Sequence, residues 1–134
     1  MARPRKERVR VFRVENPEDG LGPWTSGGWS NAITMMEDEG IISDYSEHPS
    51  RGPSVRWDGP CDGWFNPRKH HVGVKDEEQL KSIWFRTAEQ REYLAARGFK
   101  LSEYEVIKDA AMFCDTQVAF DKKRAKLVAS HELH

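Results

Sequence analysis

Arg13, inside the run RVRVFRVE, and Glu103-Tyr104-Glu105 near the other end are the residues whose types best suit chemistry in this chain. An arginine centred in a strand-like run is unusual, because burying an unpaired charge is costly. Its planar fork suits a phosphate or a carboxylate, which it can grip through two parallel bonds. A carboxylate brought to the same surface, Glu103 or Glu105, would stabilise positive charge developing on a ribose or orient an attacking group. The plainer alternative makes all three solvent-facing charges in cross-strand ion pairs, which contribute little.

Other side chains offer different chemistry. Trp24 and Trp57 supply rings for stacking, and His48 and Arg51, within HPSRGP, are further candidates for ligand binding. Trp57, Trp64 and Phe65, with the basic N-terminus, suit a stacking platform for nucleic acid, but they lie among Asp58, Asp62 and Gly, with Arg56 as the one near basic neighbour and Arg68 and Lys69 following only afterwards. The alternative is an aromatic mini-core pinning a loop. His48, Cys61, His70, His71, Cys114, His131 and His134 are the soft or borderline metal ligands, but they lack the tight pairs of zinc sites. Adjacent His70 and His71 point to opposite faces of a strand. No metal site is expected.

These residues need elements to position them. RVRVFRVE alternates as a strand over 8–15, with Val9, Val11 and Arg13 on one side and Arg10, Phe12 and Val14 on the other. Asn16-Pro17-Glu18-Asp19-Gly20 ends it with turn chemistry. Trp29, Ile33 and Met36 form one apolar stripe of a helix over 29–39. Residues 41–69 are dense in Gly, Pro and Ser yet carry four aromatics, so they read as an ordered, irregular loop of the kind that often holds function. HHVGV reads as a strand. Asp76 with Gln79, and Thr87 with Gln90, have capping-box spacing, which predicts two short helices, the second stopping at Gly98. Strands follow at 100–107, 111–114, 117–121 and 125–130, with Asp115-Thr116 as a hairpin turn.

The order is strand, helix, long loop, strand, two helices, then strands. It predicts an α+β fold: a small twisted, mostly antiparallel sheet flanked by two or three short helices. With 134 residues the chain suits one domain over 8–134, preceded by a basic flexible tail at 1–7. Charges nearly balance, 21 basic against 22 acidic, which argues against a histone-like protein. No apolar run approaches the roughly 20 residues that span a bilayer, so no membrane partner is expected. Two cysteines and no secretory h-region point to a reducing cytoplasm with both thiols free.

Two resemblances bear on function. The arginine in VFRVE and the later Glu-x-Glu resemble ADP-ribosyltransferases. That resemblance implies NAD as cofactor, Arg13 on the dinucleotide, Trp24 and Trp57 stacking a ring, and Glu105, with Glu103, as the catalytic carboxylate. The middle-strand Ser-Thr-Ser pattern of those enzymes is absent, and Ser82 or His70-His71 does not replace it. The second covers roughly residues 9–128. VFRVEN, GLGPW, HPSRGP, WDG, IWF, RGF, EYEV and QVAFD together resemble small proteins encoded by phages and prophages. It implies a phage accessory protein. Because the catalytic pattern is incomplete, the favoured expectation is a protein that binds and modulates a host macromolecule, with a host protein as partner. An ADP-ribosyltransferase-like enzyme or NAD-type nucleotide binder is the alternative, and a nucleic-acid-binding module the second.

Overall fold

The computed structural model describes residues 7–18, 20, 22, 35–36, 38–41, 59–61, 63–66 and 68–134. The expected α+β class holds, but the strands form two three-stranded antiparallel sheets rather than one. The first has the order β1 (Arg8–Glu15), β3 (Lys100–Ile107), β6 (Ala125–His131). The second has the order β2 (His71–Gly73), β5 (Val118–Phe120), β4 (Ala111–Phe113). The strands of the sequence reading agree with these to within a residue or two at each end.

β1 and β3 pair along their whole length, from Arg8 opposite Ile107 to Glu15 opposite Lys100. The alternation of β1 buries Val11 on one face with Tyr104, Val106, Val118 and Phe120, and Val14 on the other with Leu80, Trp84, Leu94 and Leu101. The chain therefore has two apolar clusters, one on each side of the central strand pair. β6 carries a bulge: Glu103 faces Ala129 and Tyr104 faces Leu127, leaving Val128 as the extra residue.

The sheets meet where Phe12 and Val74 exchange backbone hydrogen bonds, Phe12 N–H to Val74 O at 2.9 Å and Val74 N–H to Phe12 O at 2.7 Å. The approach demands glycine at 73, since a Cβ there would lie 2.4 Å from the Phe12 carbonyl oxygen.

The helices begin as their caps predict. Asp76 accepts from Gln79 N–H ahead of α1 (Glu77–Gln79), and Thr87 and Gln90 form a complete capping box ahead of α2 (Ala88–Ala96). Gly98, at φ 89°, stops α2 as expected. Past α1 the backbone widens into a π-helical turn, Leu80–Trp84, closed by Phe85 N–H to Leu80 O at 2.9 Å. That turn presents Trp84, whose indole N–H donates to Thr116 O at 2.7 Å in the β4–β5 turn. Of the expected helix over 29–39, Met35, Met36 and Asp38 are described as helical, and Met36 is buried in the core.

The cysteines correct the expectation of two free thiols. Cys61 and Cys114 form a disulfide across 53 residues, with Cα atoms 5.6 Å apart, a separation such bonds require. It ties the 59–61 turn to the end of β4. Pairing of residues so distant in the chain left no local signal.

Candidate functional site

Arg13 lies in a buried polar network, not on a binding surface. Glu15, whose side chain is 4% exposed, accepts from Arg13 Nε and from Lys122 Nζ, each at 3.1 Å. Its second oxygen accepts from the Tyr104 hydroxyl at 2.5 Å. Arg13 Nη1 donates to Val72 O at 2.8 Å and Nη2 to Gly20 O at 3.5 Å. Each nitrogen of the fork thus has an internal partner, and the group links β1 to β2, β3, the turn after β1 and the segment before β6. Burial pulls the Arg13 pKa down, opposed by the Glu15 charge. Burial first, and then hydrogen bonding to the Glu15 carboxylate, pushes the Tyr104 hydroxyl well above the ordinary tyrosine value. His71 stands near this network. Its side chain is exposed, and partial desolvation, then the charges of Arg13 and Lys122, lowers its pKa.

Glu103 and Glu105 occupy the other face of the same strands. Directly opposed residues of an antiparallel pair share a face. Glu105 faces Arg10 and Glu103 faces Phe12, whereas Arg13 faces Ser102. The two glutamates pair with Arg8 and Arg10 at 3.0–3.3 Å, and Glu103 also meets His131 at 2.8 Å. The sheet thus separates Arg13 from Glu103 and Glu105. The concave surface that an ADP-ribosyltransferase-like site needs, with Arg13 and Glu105 sharing one cleft, is not formed. Alternation along β1 is the physical reason, because odd and even positions point apart. Trp24, His48, Arg51 and Trp57 lie outside the described residues, as does the basic segment 1–6.

A cleft of about 320 Å³ opens elsewhere, lined by Trp64, Asn66, Lys69, His70, Asp109, Ala110, Asp121 and Arg124. His70 stacks on Trp64 with ring centroids 4.1 Å apart and planes 7° from parallel. Its Nδ1 accepts from the Asn66 N–H at 2.9 Å, which orients the imidazole. Partial burial, then the Lys69 charge, lowers the His70 pKa and so favours the neutral ring. Asp121 is buried and accepts from Lys123 N–H at 3.1 Å, while its own N–H donates to Ala110 O at 2.9 Å. The sequence reading singled out Trp57, Trp64 and Phe65 with the basic N-terminus as a stacking platform; of these Trp64 lines the cleft, and Trp57 and residues 1–6 lie outside the described residues. It missed Asp109, Asp121 and Arg124, which arrive from parts of the chain some forty to sixty residues away.

A third surface lies on β6, the outer strand of its sheet among the described residues. Leu127 and Val128 are 53% and 37% exposed, and Lys126 before them on the strand is exposed too. The bulge at Val128 and the lysine both obstruct backbone pairing along this edge. What the strand offers is side chains.

Among the described residues no cluster of three or more His, Cys, Asp or Glu is placed to hold a metal, and no helix is long and apolar enough to cross a membrane. The family model described as Bacteriophage T4 Y00F protein matches residues 5–134. The 19.7 kDa protein of the motB-dexA intergenic region of Enterobacteria phage T4 is 40% identical over 65 residues, which are 48% of this chain and 37% of that protein. The chain thus matches well under half the length of that relative. No solved structure matches.

Proposed function

Since the chain belongs to the bacteriophage T4 Y00F protein family, we propose that it is a phage accessory protein that binds a host protein and modulates it. The observation that carries this reading is the β6 surface. Two large apolar side chains, consecutive in sequence and preceded by the exposed Lys126, are exposed on a strand with no outer neighbour among the described residues. Scattered apolar residues are ordinary on a surface, but an apolar pair next to a cation has the composition of a contact patch. Side-chain contact suits this strand better than strand addition, given the bulge.

The test is capture from host lysate on the immobilised protein, with Leu127→Asp/Val128→Asp beside it and circular dichroism checking that the variant folds. A specific host protein retained by the wild type and lost by the variant supports the reading. Identical capture by both overturns it.

A further inference from the structure

The geometry points to the Trp64–Arg124 cleft as a binding site for one nucleotide unit of a single-stranded nucleic acid. This surface is distinct from the β6 apolar pair and does not depend on it.

Three features converge there. The first is the stacked Trp64–His70 pair, a flat aromatic surface fixed in orientation by the Asn66 N–H. Bases stack on such surfaces whatever their identity, because every base has a π face. The second is charge. Lys69 and Arg124 reach the same cleft from segments 55 positions apart, and no ion pair holds either one among the described residues. Arg68 and Lys123, next to them in sequence, are also exposed. Cations beside an aromatic platform, with no ion pair among the described residues, match the way a phosphate backbone is held. The third is the carboxylate pair, Asp109 and Asp121, on the same cleft. Carboxylates accept hydrogen bonds from the amino groups of bases. They repel phosphate, so they separate a region for the base edge from a region for the backbone.

The volume, about 320 Å³, is at the small end of ligand pockets and suits one nucleotide rather than a folded partner. A paired base cannot enter, because its stacking face and its amino edge are already engaged in the duplex.

The experiment is fluorescence anisotropy with a labelled 12-nucleotide single strand of mixed sequence, as DNA and as RNA, at about 50 mM salt. The matching duplex and the 5′-mononucleotides serve as competitors. The single strand is expected to bind and to outcompete the duplex roughly tenfold or more. Lys69→Gln/Arg124→Gln should weaken binding roughly tenfold or more. It should also flatten the salt dependence by about 1.4 log units per log unit, about 0.7 for each lost phosphate contact. Trp64→Ala should weaken binding roughly fivefold or more. Lys81→Gln/Lys100→Gln, which removes the same charge elsewhere, should keep wild-type affinity. Circular dichroism confirms that each variant folds. No binding at about 100 μM protein, or affinity unchanged by the cleft substitutions, overturns the proposal. Mononucleotides that bind as tightly as the strand would overturn the single-strand assignment in favour of a free nucleotide.

Discussion

β1 and β3 carry similar charged residues on both faces, and the two faces treat them in opposite ways. On the buried face, Arg13, Lys122 and the Tyr104 hydroxyl converge on one carboxylate, Glu15. On the open face, Arg8 and Arg10 meet Glu103 and Glu105 across the strands, with the arginines roughly half exposed. The distances are nearly equal, so geometry alone does not rank the pairs. Solvent does. In water each exposed ion is already well solvated, and its pairing contributes about 0–1 kcal/mol. In the interior the ions have lost that solvation, so each depends on the others and the loss of one leaves an uncompensated charge. Charged residues on a strand are therefore uninformative until their face is known.

The largest expected effect comes from removing the hub. Glu15→Gln leaves Arg13 and Lys122 without their carboxylate and should lower stability by about 3–5 kcal/mol in denaturant unfolding. A loss below about 1 kcal/mol would erase the contrast between the faces. Next is the disulfide, which touches neither charged face. Reducing it, or Cys61→Ser/Cys114→Ser, should remove about 2–4 kcal/mol through the loop closed by the 53-residue separation. The energies measured for the two charged groups should be unchanged. Tyr104→Phe takes one donor from Glu15 and should cost about 1–3 kcal/mol.

Paired double-mutant cycles sharpen the comparison directly. Arg13→Ala with Glu15→Ala should show coupling of about 1–3 kcal/mol. Arg10→Ala with Glu103→Ala should show less than about 0.5 kcal/mol, and that value should fall further in high salt. The smallest effect is a pH dependence. The folded-state pKa of His71 is lowered, by partial desolvation and then by Arg13 and Lys122, so below about 6.5 the unfolded chain binds more protons. Stability present above that value should decline as pH falls through it, because a proton on His71 adds positive charge beside two cations. His71→Gln should flatten the melting temperature between about pH 7.5 and about pH 5.5. An unchanged slope would detach His71 from the network.

Period-two alternation and capping chemistry are local signals, and they located β1, β3, both helix starts and the stop at Gly98. The Arg13–Glu15 contact was also within local reach, as two residues on one strand face. What sequence did not disclose is what arrives from a distance. Lys122 and Tyr104 complete the buried network from about 90 to 110 positions away. The pairing that puts Glu105 beside Arg10 depends on β-register, and Arg124 joins Lys69 only through the fold. The same holds for the cysteine pair and for the division into two sheets, which turns on a single bridge at Phe12. Trp64 and Phe65 were visible as stacking candidates, whereas the cations and carboxylates that give the cleft its two polarities were not.

The π-helical turn at Leu80–Trp84 sets a constraint on how the chain can vary in length. Five residues there cover a span that an α-turn would cover with four. Deleting one would restore ordinary helical spacing and rotate every later residue of the turn by about 100° about the axis. Trp84 would then swing off Thr116, and the helical region would lose its indole tether to the β4–β5 turn. Relatives that keep this tether are expected to keep the widened turn, and those one residue shorter to lack a tryptophan at this place.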